Sequence, residues 1–452
     1  MSSIESTPHG TPKPVLATRD VMAIIVGLVI GAGIFRLPSL VAGNSANEFV
    51  FYGLWVAGGL ISLVGALCYA ELATTYPNTG GDYHFLYRAY GRSLSFLFAW
   101  ARIAVITTGS IAILGFTFGD YASNLLRLGP HSSAIYALLA VLALTAINVA
   151  GIRETKGTQN VLTVLLVVGV LAVIVAGFAA DPAAAAPVTP GDAKPWTAGI
   201  PFAILFVLFT YGGWNEAAYV SAELKERRSI VTALVLSLLL VMAIYLAMNY
   251  AYARALGLQG VAKSSTVAAD VLRLSFGELG SKAISVIIAI AALTSINATI
   301  IVGARSNYAL GRDWPVFAWL GQWHDRSDAP RNALVVQCVV ALVLIVAGAF
   351  AAQIETMVNY TMPVFWFFIM LVGIGVFVLR VRDPDRPRPF RVPLYPFTPV
   401  VFVATCAYLL YSSLAYVANG AWLGVGVLAV GVVLLAVNLR FGGPATASRQ
   451  SI

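Results

Sequence analysis

The sequence predicts an all-α polytopic membrane protein with about 12 transmembrane helices. Three observations carry that prediction. Of 452 residues, 59% are hydrophobic and only 11% charged, against roughly a quarter charged in soluble proteins, so the chain cannot cover its surface with polar groups in water. The apolar residues gather into runs that meet the ~20-residue length of a membrane helix. The basic residues cluster at the ends of those runs and form no stripe interleaved with aromatics. The +8 net charge therefore reads as membrane topology and argues against nucleic acid as a partner.

Taken in order, residues 1–19 are polar, contain prolines and lack the pattern of a signal peptide. They read as a disordered cytoplasmic tail. Runs at 20–43, 49–75, 93–122, 132–150 and 157–179 make a first five-helix half, 20–180. A Pro/Ala-rich linker, Asp181 to Pro195, follows. Runs at 199–224, 229–256, 280–305, 332–351 and 354–380 make a second half, 199–380, and two further helices fill 395–440, at 395–417 and 421–440, ahead of a cytoplasmic tail, 441–452. Several runs exceed the length needed, which implies tilt. Five helices per half turn the second half over relative to the first, the arrangement of inverted-repeat transporters.

Charge orients the chain. With the N-terminus inside, 19 of the 28 Lys and Arg residues fall on the inner side and six on the outer; Arg36, Arg102 and Arg305 lie within spans. Basic loops resist translocation, so both termini are expected in the cytoplasm. Cys68, Cys338 and Cys406 all lie in apolar runs, with no spacing that suggests a metal site or a disulfide framework.

The first helix of each half contains a flaw. Span 1 carries "GAG", Gly31 to Gly33, followed by Arg36 and Pro38; span 6 carries "YGGWN", Tyr211 to Asn215. Glycine in a helix interior costs about 1 kcal/mol relative to alanine, and paired defects at corresponding places point to a transporter binding site. A helix broken near the midplane frees backbone polar groups that must line a cavity. The N–H groups and positive dipole end of the half-helix beginning near Gly33 suit a carboxylate. Carbonyls freed at Ile30 and around Phe209 to Gly212 suit an ammonium. Together they describe a site for an α-amino acid. The competing reading is packing, because Gly27 and Gly31 form "GLVIG", a small-xxx-small face that lets helices approach.

These residues resemble a known family. "IGAGIF" in span 1, "YAELATTYPNTGGDYHFLYRAYG" at Tyr69 to Gly91 and "SINATIIVGARSNYALGRDW" at Ser295 to Trp314 resemble motifs of the amino acid–polyamine–organocation (APC) transporter superfamily. "FTYGGWNEAAYVSAELK" is similar to span 6 of its L-type amino acid transporter branch. The resemblance implies a LeuT-type fold with 5+5 inverted repeats and broken helices 1 and 6. It implies substrate held by Ile30, Ala32, Gly33 and Ile34 of span 1 and by Phe209, Tyr211 and Gly212 of span 6, with Phe209 as an aromatic gate. Asn297 and Tyr360 are further candidates for lining the site. The sequence departs from the branch in two places. Leu166 stands where relatives commonly carry a span 5 lysine, which leaves sodium at Thr294 or Ser295 an open alternative. The outer loop "LRLGPHSS" lacks the cysteine through which eukaryotic relatives bind a glycoprotein, which implies a bacterial carrier without a heavy-chain subunit, as a monomer or homodimer.

Ionisable residues at membrane depth are functional by default. Arg305 and Arg36 each have a snorkelling alternative; Arg36 otherwise faces the outer vestibule. Glu216 lies eight residues before the inner end of span 6 and Arg102 nine residues into span 3, depths of roughly 12 and 13 Å at the helical rise. The matching depth predicts that they face one inner pathway and pair, with Glu216 exchanging a proton. A static ion pair is the alternative. Glu71, Asp82 and Arg88 in the inner loop form either a cytoplasmic latch or plain surface pairs. The four histidines, His9, His84, His131 and His324, fall in tails or loops, and no metalloprotease or hydrolase motif is present, so an enzyme is not expected, nor a metal or other cofactor. A channel would need a repeated filter or a ring of charge.

The expected protein is a secondary amino acid transporter of the bacterial inner membrane working by alternating access, as an exchanger, permease or symporter. Gly31, Ala32 and Gly33 leave room, and Phe209, Tyr211 and Trp214 favour a small or neutral substrate. A proton is preferred over sodium as the coupling ion. An amino-acid sensor without flux, and a carrier for cationic amino acids or polyamines, are the alternatives.

Overall fold

The computed structural model describes residues 18–78, 80–151, 156–182, 196–226, 228–324, 329–351, 354–415 and 418–441. The expected terminal tails, most of the 181–195 linker, and Lys13, Arg153, Arg227, Arg326 and Arg449 lie outside them.

Among the described residues the chain is built from helices, with no strand beyond one isolated bridge. Nine helices among the described residues are long and apolar enough to cross a membrane. Three of the expected spans are not among those nine, and two of the three are the spans with glycine flaws. Span 1 is divided into α1 (Thr18–Val29), a 3-10 turn (Ala32–Phe35) and α2 (Leu37–Gly43). Span 6 is divided into α9 (Trp196–Thr210) and a 3-10 segment (Trp214–Glu223). The third is α8 (Lys156–Ala179), an apolar helix of 24 residues.

Local signals set several ends. Helix α3 (Glu48–Thr75) starts where Asn47 accepts a hydrogen bond from the Val50 amide at 2.9 Å, with Glu48 in the first turn. The inner loop that follows folds into α4 (Gly81–Tyr90), which places His84 on a helix instead of the expected loop. The third span comprises α5 (Arg92–Ala101), a π-helical segment (Arg102–Ile106) and α6 (Thr107–Leu125). The next, α7 (Ser132–Ala150), stops at Gly151, whose φ of 80° is the left-handed value of a glycine cap.

The outer connection expected between 256 and 280 is largely helical. Helix α10 covers Ser229–Lys263 with a kink at Gly257, and α11 covers Val267–Asp313 with a kink at Gly277. The backbone leaves the helix at Gly257 (φ 66°, ψ 162°) and at Gly277 (φ 65°, ψ −163°), so the connection holds short helical pieces between these breaks. The span ends expected at 256 and 280 both fall beside these breaks. Helices α12 (Arg331–Ala349), α13 (Ile354–Arg382), α14 (Phe397–Ala415) and α15 (Ala418–Phe441) complete the chain.

The two interrupted spans lie antiparallel in contact. Outer α2 packs against α9, and inner α1 against the 3-10 segment at Trp214–Glu223. Around them α3 and α10 pack together, as do α6 and α11. Gly58 and Gly59 allow α3 this close, because a Cβ there would strike Val207 and Met242 respectively.

Candidate functional site

The paired breaks form the centre of the site. Gly31 is extended, at φ −100° and ψ −172°, and Gly213 is left-handed at φ 103°. The breaks adjoin, since a Cβ on Gly33 would lie 3.9 Å from Thr210 Cγ2. Carbonyls released by the first break are taken up by three buried tyrosines on neighbouring helices. The Tyr245 hydroxyl lies 2.7 Å from Val29 O and 3.1 Å from Thr210 O, so one side chain of α10 bridges both breaks. Tyr252, two turns further along α10, donates to Ile34 O at 3.3 Å, and Tyr121 of α6 donates to Phe35 O at 2.7 Å. Unpaired backbone groups are costly in hydrocarbon, and these hydroxyls remove that cost without restoring the helix. The packing reading of "GLVIG" fails on geometry: a Cβ on Gly27 or Gly31 would meet nothing within 4 Å.

Ion pairs lie on either side of the breaks. Outward, Arg36 Nε donates to Asp120 Oδ2 at 2.8 Å, tying the outer half of span 1 to α6. Inward, Arg102 Nη2 lies 3.3 and 3.4 Å from the Glu216 carboxylate oxygens. Arg102 opens the π-helical segment, a defect frequent at functional sites. Beside this pair Asn215 Nδ2 donates to Asp82 Oδ2 at 3.3 Å, and Asp82 is 2% exposed. Burial, then the Glu216 charge, push the Asp82 carboxyl up to about 7, against smaller opposing effects of Tyr69, Arg102 and Asn215. A cavity of about 310 Å³ opens on this inner side, with Gly80, Tyr83, Arg102, Arg305 and Asp313 in its wall.

The innermost layer is a clamp. Arg380 grips Glu71 through Nε at 2.8 Å and Nη2 at 2.6 Å, and the Val392 amide donates to the same carboxylate at 2.7 Å. Arg88 and the Tyr76 hydroxyl both donate to Asp383, and they hold its carboxyl below the usual range, Tyr76 most strongly. Glu71 sits in a buried pair, whereas the Arg88–Asp383 pair is partly exposed, at 32% and 31%. Asp82 belongs to neither and turns inward.

This arrangement of adjoining helix breaks, flanked by inner and outer charge pairs, agrees with comparison to known proteins. Residues 16–437 match the amino acid permease family. The chain belongs to that family. The permease is similar to the b(0,+)-type amino acid transporter 1 of Rattus norvegicus, 28% identical over 443 residues that span 92% of this chain and 87% of that one. It is similar to the serine/threonine exchanger SteT of Bacillus subtilis, 28% identical over 408 residues, 87% of this chain and 89% of that one. The large neutral amino acids transporter small subunit 2 of Homo sapiens is 29% identical over 406 residues, 86% of this chain and 74% of that one. The permease is thus a multi-pass membrane amino acid transporter and not an enzyme.

The permease brings Ile30, Gly31, Ala32, Gly33 and Ile34 to the first break and Phe209, Tyr211 and Gly212 to the second. Not all their side chains turn inward. Tyr211 is fully buried against Trp55 and Tyr245, and its hydroxyl donates to Trp55 O at 3.0 Å. Trp214 packs edge-on to Tyr69 and lies against Phe402 of α14. Asn297 accepts from Asn148 of α7 at 2.6 Å, a contact between helices. Tyr360 donates to Ala104 O at 2.8 Å and so caps a carbonyl of the π-helical segment. Thr294 and Ser295 direct their hydroxyls to carbonyls of their own helix.

Sequence reasoning missed Asp120, Asn215 and the three capping tyrosines. Asp120 sits inside an apolar run and was open to detection. Nothing in the sequence marks Tyr121, Tyr245 and Tyr252 apart from the other 16 of 19 tyrosines. No group of three or more metal-binding side chains occurs among the described residues.

Proposed function

We propose that this permease moves a small or neutral L-amino acid across a bacterial inner membrane by alternating access, with both termini cytoplasmic. On this reading 20–180 and 199–380 form two inverted halves. The substrate α-carboxylate meets amides at Ala32 to Ile34, and its ammonium meets carbonyls near Ile30 and Phe209. The observation that carries the proposal is the direct apposition of the two breaks, Gly33 beside Thr210 with Tyr245 across both. Open space around Gly31 supports a compact substrate. The apolar neighbours Ile30, Ile34 and Phe209 favour a neutral side chain. A proton serves as coupling ion in preference to sodium, because ionisable groups lie below the breaks and Leu166 replaces the family's lysine. No heavy-chain subunit is required.

Reconstitution tests this. Proteoliposomes preloaded with unlabelled serine, alanine or leucine should take up the labelled amino acid, without a sodium requirement. Binding without flux would favour a sensor. Uptake confined to arginine, lysine or polyamines would favour a cationic carrier.

A further inference from the structure

The inner cluster holds two carboxylates, Asp82 and Glu216, and one guanidinium, Arg102. Their situations differ. Glu216 faces Arg102 and retains 31% side-chain exposure. Asp82 is buried and makes no ion pair among the described residues. The polar groups at its carboxyl are the Asn215 amide and the Tyr69 hydroxyl, both uncharged. A buried carboxylate with no cation of its own beside a second carboxylate favours its neutral form.

The surrounding charges are otherwise engaged. On α13, Arg380 is held by Glu71, and Asp383 by Arg88 and Tyr76. On α4 itself, Arg88 is thereby committed, and burial with Arg88 nearby lowers the His84 pKa to about 4, so that His84 is neutral. On α5 and the π-helical segment, Arg102 is the cation nearby, and it pairs with Glu216. Gly80 and Tyr83, which bracket Asp82 along α4, and Arg102 all form part of the 310 Å³ inner cavity wall. A proton from cavity water thus has a short route to Asp82.

Resting on the transport reading above, we propose that Asp82, and not Glu216, is the carboxyl that takes up the proton from the cytoplasmic side, while Glu216 stays paired with Arg102. Proton uptake removes the repulsion between Asp82 and Glu216 and favours the inward-closed packing of α4 on the span 6 segment. Proton loss to the cavity loosens it. The carboxyl thereby links inner pH to opening of the inner pathway.

With Asp82 titrating at about 7, its protonated fraction falls about ten-fold between about pH 6 and about pH 8. Efflux from proteoliposomes at varied inner pH should show a dependence of that order in wild type. It should be flat in Asp82→Asn and shifted to lower pH in Glu216→Gln, which removes the neighbouring charge. Infrared titration of the solubilised protein reads the proton directly and needs no transport. Wild type should show a carboxylic-acid band lost as pH rises through about 7. Glu216→Gln should keep that band at a lower midpoint, and Asp82→Asn should lack it.

No such band in wild type, its disappearance in Glu216→Gln, or a wild-type pH profile in Asp82→Asn would each overturn the assignment. If Asp82→Asn does not fold, wild type and Glu216→Gln decide the matter between them. Wild type that moves no amino acid at any pH would instead refute the transport reading, and the band would still test Asp82.

Discussion

Glu71 shows how one buried side chain can tie distant helices of a membrane protein together. Its carboxylate is 3% exposed and accepts two guanidinium bonds and one backbone amide, so its charge is answered where water is excluded. Removing one partner from such a pair costs on the order of 3 kcal/mol. Arg380→Ala should therefore lower the unfolding temperature in detergent clearly, and Arg380→Lys should restore only part of it, because an ammonium lacks the two-pronged geometry. Asp82 follows the opposite logic. Its carboxyl binds a proton more tightly folded than unfolded, between the ordinary 3.8 and about 7, so over that range stability contributed by this group falls as pH rises. Thermal unfolding of wild type against Asp82→Asn between about pH 5 and about pH 8 should show that slope lost in the variant. Gly31 separates function from folding. Its φ of −100° suits any residue and a Cβ there meets nothing. Gly31→Ala should keep the wild-type unfolding temperature within the effect of about 0.5 kcal/mol while raising the KM for transport.

At the scale of elements, the interrupted spans work because other helices complete them. Gly213 turns the chain at φ 103°, where an L-residue carries a penalty of roughly 1–2 kcal/mol. Tyr245 then joins the two breaks through Val29 O and Thr210 O. Tyr245→Phe keeps the ring packing on Trp55 and Tyr211 and removes only the hydroxyl. The expected cost is about 1–3 kcal/mol for the one hydrogen bond that the hydroxyl proton donates, read as a lower unfolding temperature. Transport should slow as well, because the breaks no longer share a fixed point. The π-helical segment at Arg102–Ile106 is a comparable device in the third span: its offset aims Arg102 at Glu216, and Tyr360 answers Ala104 O.

For the whole molecule, the charge pairs form layers. Arg36–Asp120 lies outside the breaks, Arg102–Glu216 with Asp82 inside them, and Glu71–Arg380 with Arg88–Asp383 at the inner surface. A carrier that exposes its centre to one side at a time needs closures of this kind above and below. Thermal-shift screening of the twenty amino acids addresses the molecule as a unit. Saturation at about 100 times Kd adds about 2.7 kcal/mol, so the transported substrates should stabilise most and non-substrates not at all. Stabilisation by sugars or nucleobases instead of amino acids would contradict the proposed substrate class.

Much of this was legible in the order of residues alone. Span positions follow from apolar runs, because hydrocarbon admits little else. The two breaks follow from "GAG" and "YGG", because glycine weakens a helix wherever it stands. The match in depth between Arg102 and Glu216 followed from counting residues at a fixed rise, and the structure places the two in contact. The short helical pieces within the outer connection, 258–263 and 267–276, were not legible, since polar residues end a hydropathy signal. Nor was the neighbourhood of Trp214 or Asn297, whose side chains turn to α14 and α7. The sequence by itself determined where the chain crosses and where it must break, because both are local consequences of side-chain polarity and backbone freedom. Tertiary structure decided which groups answer the broken backbone and which carboxyl lies without a cation, because both depend on residues of different helices, distant in the chain, meeting in a place that water does not fill.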